Sequence, residues 1–304
     1  MTTSAFSPDQ PDVPVMLGPQ HLDEVMTFLS RDIVRNMFML SWADNYGIAA
    51  PGQPDLFHFG GLHHGNRLTA VSLVITGRLV LIESDDAVAT SRLAQWYRRS
   101  RFQFEHIVSA REVVTPFWQS YGDADRFATA RLDRFQELYV MERRSWLGLL
   151  PTRTDHVPTA LQLANTDDIE SVFLASARMH EEETLEDPLQ RDAGHFRRHV
   201  LHRIETDRTW VWFNEHRRLM FKADVSAQSR YGAQVSGVYT PPLVRGQGIA
   251  TRAMVDMCDA LFKRGFPRIV LYVNDDNVAA RRVYEKVGFT FHCPYETVFI
   301  AEET

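Results

Sequence analysis

A short glycine-rich segment in the second half of the chain constrains the fold most. The run Gly237–Thr240 has the composition of a strand, and the two prolines after it cannot continue a sheet ladder. Gly246-Gln247-Gly248 then leads into a helix predicted to extend from Thr251 to Lys263. Glycine lets the backbone approach a ligand closely, and a helix N-terminus offers unpaired N–H groups and a positive dipole end. The segment therefore predicts an anion site suited to a pyrophosphate.

The spacing of these glycines excludes two other nucleotide-binding turns. A dinucleotide fingerprint needs three glycines at a different spacing, and a P-loop needs Gly-Lys followed by Ser or Thr. Taken alone, Gly-x-Gly between a strand and a helix also fits a tight turn with no ligand.

A second motif makes the ligand interpretation more specific. Arg245-x-x-Gly248-x-Ala250 resembles the acetyl-CoA pyrophosphate motif of the GNAT superfamily of N-acetyltransferases. Later in the chain, Asn277-x-x-Ala280-x-x-Val283-Tyr284-x-x-x-Gly288-Phe289 resembles the second signature of that family, which follows its fifth strand. The resemblance covers about residues 155–304 and implies an α+β fold with a mixed sheet.

The same resemblance implies a set of cofactor contacts, with acetyl-CoA as co-substrate and no metal. The backbone of Val238, Tyr239 and Thr240 would hold the pantetheine arm, with a bulge that exposes an N–H group to the developing oxyanion. Asn277 would contact the pantetheine end, and Ala280 belongs to the same cofactor-binding set. The pyrophosphate loop would comprise Arg245, Gly246, Gln247, Gly248, Ile249, Ala250 and Thr251.

The catalytic residues implied by the resemblance are Tyr284 and a carboxylate. Tyr284 would lie beside the sulfur, where a phenol with a pKa of about 10 can donate a proton to the departing thiolate; a helix tyrosine packed on the sheet is the alternative. Many family members carry a glutamate on the strand that here spans 234–238, and this strand has none. Glu182 and Glu183 are the candidate bases, unless they form a solvated acidic helix end.

Length and internal similarity predict two domains. At about 150 residues per domain, 304 residues suggest residues 1–150 and 155–304, with a proline-bearing boundary between them. Both halves combine helices, a strand meander and an αβα run, which suggests a duplication.

The first half has Glu83-Ser84-Asp85-Asp86-Ala87 at its strand-to-helix turn, without glycine. The three acidic residues of this turn would repel a pyrophosphate. The first domain is therefore predicted to be a degenerate, non-catalytic GNAT-like domain.

Composition excludes several classes of protein. The net charge of −6 is shared evenly between the halves, which argues against nucleic-acid binding. No run is long and apolar enough for a membrane helix, and the polar start resembles no export signal. Cys258 and Cys293 are too few for a disulfide framework or a zinc site, and we expect two buried, reduced thiols in a cytoplasmic protein.

The resulting prediction is an acetyl-CoA-dependent N-acetyltransferase of tandem type. Acetyl would pass to a primary amine by direct attack in a ternary complex, with the amine-bearing acceptor bound between the halves. A CoA-binding sensor without turnover, or a transferase of another acyl or aminoacyl group, are the alternatives. The sequence leaves the acceptor and the oligomeric state open.

Overall fold

The chain divides into two units, and their boundaries differ from the predicted ones. The computed structural model describes residues 12–49, 56–100, 102–149 and 155–301. The first unit comprises Met1–Leu138 together with His292–Thr304, and the second comprises Tyr139–Phe291. The predicted division into 1–150 and 155–304 therefore misplaces both the middle of the chain and its final strand. Residues 150–154, in the predicted boundary, lie outside the described residues.

The first unit contains helices and a sheet with antiparallel and parallel pairs. Its strand order is β1-β2-β3-β4-β5, antiparallel except for β4 and β5, which are parallel. The elements are β1 (Val15–Met16), α1 (Leu22–Leu29), α2 (Met37–Tyr46), β2 (Phe57–His64), β3 (Arg67–Ile75), β4 (Leu79–Ser84), α3 (Ala87–Arg99), β5 (His106–Ala110), α4 (Arg111–Trp118) and β6 (Ala130–Glu142), whose residues from Tyr139 onward belong to the second unit.

The second unit repeats this order of elements. After α5 (Arg143–Leu149), which the sequence patterns did not predict, come β7 (Gln162–Leu163), α6 (Ile169–Thr184), α7 (Pro188–Glu205), β8 (Thr209–Phe213), β9 (Leu219–Ser229), β10 (Gly232–Tyr239), α8 (Ile249–Lys263), β11 (Arg268–Asn274), α9 (Val278–Val287) and β12 (Thr290–Ile300), whose residues from His292 onward belong to the first unit. The strand order is β11-β10-β9-β8-β7, with β10 and β11 parallel. The predicted α+β class with mixed sheets is confirmed.

The last strand explains the shifted boundary. Residues Tyr295–Phe299 of β12 pair antiparallel with Ala110–His106 of β5, inside the first unit. The hydroxyl of Tyr295 donates to the carbonyl of Arg35 (3.1 Å), and Val298 is fully buried in the first unit's core. The prediction assigned this strand to the second half because it follows that half in the chain.

The core of the second unit lies on one face of β9. Phe221, Ala223 and Val225 pack with the apolar face of α8, whose Ala253 and Met257 recur at helical spacing. Since side chains alternate along a strand, the even-numbered residues of β9 face the opposite side. That side carries the polar groups described below.

The sequence also makes predictions about the two cysteines and about membrane-spanning helices. Cys258 is buried in α8 and Cys293 lies in β12, both as free thiols, but Cys293 is only half-buried. In the part of the chain that the structure describes, no helix has both the length and the apolar character needed to cross a bilayer.

Candidate active site

The glycine-rich turn between β10 and α8 is open. Gly246 and Gly248 have φ angles of +76° and +74°, which L-residues with a side chain rarely adopt. A Cβ placed on either glycine would meet no described atom within 4 Å, so packing does not require them. Gly248 is the N-cap of α8 and has no side chain to bond the first-turn N–H groups. The backbone conformation therefore favours glycine at both positions, and the space next to each glycine is empty of described atoms.

The residues of the predicted pyrophosphate loop differ in their exposure to solvent. Ile249 is buried and anchors the helix start in the core. The others face solvent or are half-buried: Arg245, Gly246, Gln247 and Gly248 are exposed, and Ala250 and Thr251 are intermediate. The first-turn N–H groups of α8 thus open toward solvent beside a positive dipole end.

Strand β10 carries a bulge next to this turn. Ser236 pairs with Asp224 and Tyr239 with Lys222, so three steps on β10 oppose two on β9. Gly237 absorbs the extra residue with φ +58°, and Gly237 and Val238 fall outside the paired register. The bulge lies in the strand predicted to bind the pantetheine arm.

The parallel strands β10 and β11 separate soon after they begin. Over their described residues, pairing is limited to Ala233 with Ile269 and Gln234 with Val270. The following residues of β10, including the bulge, have no partner in register on β11. The two strands therefore leave a gap that opens toward the N-terminus of α8.

The two glutamates proposed as bases have different surroundings. Glu182 receives the Arg245 guanidinium at 2.9 and 3.0 Å, which joins the end of α6 to the glycine-rich turn. Arg245 also donates to the carbonyl of Thr240 (2.8 Å). Glu183 is exposed, and its charge acts on both Tyr284 and Lys222. Of the pair, only Glu183 is electrostatically coupled to the predicted acid.

Tyr284 is buried in the core of the second unit, beside Phe289. Burial, together with the charge of Glu183, raises the pKa of its phenol well above the usual value. The hydroxyl is therefore protonated at neutral pH and can donate a proton.

Asn277 has a structural function in the described chain. It is the N-cap of α9, and its side-chain oxygen accepts from the backbone N–H of Ala280 (3.1 Å). The contact joins two of the predicted cofactor residues to each other. The Asn277 oxygen and the Ala280 N–H are thus hydrogen-bonded to each other in the first turn of α9.

Strand β9 carries a buried charged cluster that the sequence patterns did not predict. Lys222 and Asp224 are fully buried and form an ion pair of 2.5 Å. Arg203 donates to Asp224 (2.9 Å), and so does the hydroxyl of Thr209 (2.8 Å). Lys222 and Arg203 hold the pKa of Asp224 below its usual value against the opposing effect of burial. A Cβ on Gly237 would lie 2.6 Å from Asp224 Oδ2, so the cluster packs directly against the bulge.

The corresponding turn in the first unit is closed by its own side chains. Asp86 caps α3 by accepting from the N–H of Ala89 (2.8 Å). Ser109 on β5 accepts from the N–H of Ile82 (2.8 Å) and donates to its carbonyl (2.7 Å), across the point where β4 and β5 separate. These side chains thus bond backbone groups at the helix start and between the diverging strands of the first unit.

Comparison with known proteins identifies the class. The family model described as acetyltransferase (GNAT) family matches residues 173–289. The matched residues all lie in the second unit, which is thus similar to acetyltransferases of the GNAT family.

Solved structures of similar fold span nearly the whole chain. A Drosophila protein has a TM-score of 0.65 at 11% identity, covering 96% of this chain and 99% of its own. A GCN5-related N-acetyltransferase from Sphaerobacter thermophilus has a TM-score of 0.57 at 12% identity, with 94% of each chain covered. A tandem GNAT protein from the clavulanic acid biosynthesis pathway has a TM-score of 0.55 at 10% identity, covering 97% and 100%. A search of curated proteins found no significant match. These likenesses support the tandem fold.

Proposed function

We propose that the second unit transfers an acetyl group from acetyl-CoA to a primary amine. The open glycine turn carries this proposal, because Gly246 and Gly248 leave space and unpaired N–H groups where a pyrophosphate would bind. The gap between β10 and β11 offers the pantetheine arm a path to the bulge. The residues present therefore fit the co-substrate.

The reaction needs three groups from the protein, and each has a candidate. Acetyl-CoA supplies a thioester carbonyl for attack by the amine. The bulged peptide of Gly237 and Val238 would donate an N–H to the developing oxyanion. Glu183 would accept the amine proton, because Glu182 is bonded to Arg245. Tyr284 would protonate the leaving thiolate.

Acetyl-CoA binding and thiol release test the proposal together. We expect acetyl-CoA to raise the melting temperature of the full chain, and a panel of amines to release free thiol from it. Stabilisation without thiol release for any amine would instead indicate a CoA-binding sensor. No stabilisation at all would remove the basis of the proposal.

The role of Tyr284 can be separated from its packing. Tyr284→Phe removes the proton donor and keeps the ring, so kcat should fall about 100-fold while the Kd of acetyl-CoA stays the same. Tyr231→Phe, in the turn between β9 and β10, is the matched control and should leave kcat unchanged. An unchanged kcat in Tyr284→Phe would contradict the assignment.

Glu183→Gln and Glu182→Gln form a second matched pair. If Glu183 accepts the proton, its substitution should lower kcat at neutral pH and reduce the rise of the rate with pH. Glu182→Gln should leave the pH profile unchanged. Equal effects of the two substitutions on the pH profile would contradict Glu183 as the base.

We also propose that the first unit binds no acetyl-CoA. Asp86 and Ser109 already bond the backbone groups that a cofactor would need there. One equivalent of acetyl-CoA per chain in a calorimetric titration is the expected result, and two equivalents would contradict it.

A further inference from the structure

The face of β8, β9 and β10 that turns away from the apolar core carries polar residues in aligned rows. Thr209, Asp224 and Ser236 are cross-strand neighbours in one row. In the next row, Tyr239 lies opposite Lys222. Directly opposed residues place their side chains on the same face of a sheet. Lys222, Ser236 and Tyr239 therefore lie together beside the bulge.

Two hydroxyls on this face have no hydrogen-bond partner in the described part of the chain. The hydroxyl of Tyr239 and Oγ of Ser236 are both buried and unpartnered. Tyr239 is only 3% exposed. A buried hydroxyl without a partner is costly, and native proteins normally satisfy it by protein, water or ligand.

The charge of this face is also unbalanced. Lys222 and Arg203 are two cations that share one buried carboxylate, Asp224. The contacts of Lys222 use one of the three N–H groups of its ammonium. The charge facing it from α6 is Glu183, which is exposed and therefore screened by solvent. Lys222 and the partly exposed Arg203 thus outnumber the one buried carboxylate, although burial lowers the pKa of Lys222, and Lys222 keeps further N–H donors.

We propose that Lys222, Ser236 and Tyr239 form the acceptor subsite and bind a carboxylate of the acceptor, so that the amine substrate is an amino acid. Two carboxylate oxygens match an ammonium and two hydroxyls as donors. Glu183, whose charge acts on Lys222, would then accept the proton of the acceptor's ammonium group. This inference rests on the proposed transferase function and names its substrate class.

Acceptor binding tests the inference separately from turnover. The standard amino acids, each beside its amide and its decarboxylated amine, are titrated into the full chain with CoA present, and melting temperatures are recorded. The same compounds are then assayed with acetyl-CoA for free-thiol release. We expect at least one amino acid to bind and react with a KM about tenfold or more below that of its amide.

Tyr239→Phe and Ser236→Ala test the subsite itself. Each removes a hydroxyl that lacks a protein partner, so each variant should fold and be as stable as the parent or more stable. Each should raise the KM of the amino acid about tenfold relative to that of its amide. Ser236→Ala, which lies outside the predicted cofactor contacts, should also leave the Kd of acetyl-CoA unchanged. Tyr231→Phe is the matched control, with no change expected.

The outcomes distinguish the two proposals. Amides that bind and react as well as the amino acids would overturn the carboxylate subsite and leave the transferase function standing. Amino acids that bind in preference to their amides, without thiol release, would support the subsite and count against the transferase function. Preference for phosphoethanolamine, an aminoalkyl phosphate added to the same panel, would overturn the carboxylate assignment. Variants that are more stable but unchanged in KM would show that the hydroxyls bind no acceptor.

Discussion

In the first unit, β4 leads into α3 through Asp85 and Asp86, whereas in the second unit β10 leads into α8 through a longer turn with two left-handed glycines. Asp86 satisfies the start of its helix, and Asp85 pairs with Arg31 (2.7 Å) and Arg67 (2.6 Å). The second turn has no such side chain. The same topology therefore presents a closed helix start in one unit and an open one in the other.

The separation of the parallel strands shows the same contrast. Both pairs have only two residues in register before they diverge. Counted from those residues, Ser109 of the first unit corresponds to Tyr272 of the second. Ser109 bonds both backbone groups of Ile82 and is 2% exposed. In the first unit, one small hydroxyl thus bonds the backbone between the two diverging strands.

The strongest way to break this comparison is to fill the open turn. Gly248→Trp places an indole in the empty space at the start of α8, and we expect acetyl-CoA affinity to fall at least 100-fold, about 3 kcal/mol. Gly77→Trp is the matched control, because Gly77 also has a positive φ (+67°) and open surroundings in the first unit. It shares the backbone strain and should leave affinity unchanged. Equal losses of acetyl-CoA affinity in the two variants would mean that backbone strain, and not the filled space, lowers the affinity.

Acid should destabilise the first unit through a buried histidine. Burial lowers the pKa of His58 from 6.5 to about 4, so between these values the unfolded chain binds a proton that the folded chain does not. The free energy of unfolding should therefore fall by about 3 kcal/mol as pH drops from 6.5 to 4. His58→Gln should remove this dependence in denaturant titrations, whereas replacing the exposed His216 of the second unit should not.

The hydroxyl of Ser109 is the group that distinguishes the diverging strands β4 and β5 from β10 and β11, and it can be removed by substitution. Ser109→Ala leaves the buried N–H and C=O of Ile82 without their partner and should lower the free energy of unfolding by about 2 kcal/mol. Acetyl-CoA stoichiometry should stay at one, because Asp86 still caps α3. Ser226→Ala, which removes one bond to the carbonyl of Gln234 in the second unit, is the control and should cost less. A second equivalent of acetyl-CoA would show that Ser109 alone closes the first unit.

The smallest expected effect concerns the exposed ion pair at the open turn. Glu182→Gln frees Arg245 and removes a negative charge beside the proposed phosphate site, so acetyl-CoA should bind up to about threefold more tightly at low salt. The gain should disappear at high ionic strength. Glu170→Gln, which breaks the exposed pair with Arg197 at the other end of α6, should show no gain. A salt-independent effect would point to a structural change instead.

Local signals in the sequence predicted much of the second unit. The prolines and glycines after β10 mark the turn, and the apolar spacing of Met254, Met257 and Leu261 marks α8, because both depend on neighbouring residues only. The pairing of β12 with β5 joins segments far apart in the chain, and no periodicity encodes a strand's partner. The division at 155–304 therefore placed β12 with the half that precedes it in the chain, whereas it pairs inside the first unit.

The charged cluster was missed for a different reason. The segment from Arg218 to Val225 has the pattern of one strand of a hairpin, and nothing in that pattern marks Lys222 and Asp224 as buried. Helices α6 and α7 cover that face, which the strand alone cannot show. A lysine and an aspartate two residues apart within an apolar strand, followed by Ser236 and Tyr239 on the next strand, are the signal that could have found it.

The position of β12 also affects the order of folding during synthesis. The sheet of the first unit is complete only when residues 295–299 lie beside β5, and the ribosome makes them after the whole second unit. Val298 and Tyr295 fill buried positions of the earlier unit, so its core stays unfinished while residues 139–291 emerge and fold. The region made first is thus the last to reach its native state, and its exposed strand edge must be protected from aggregation until then.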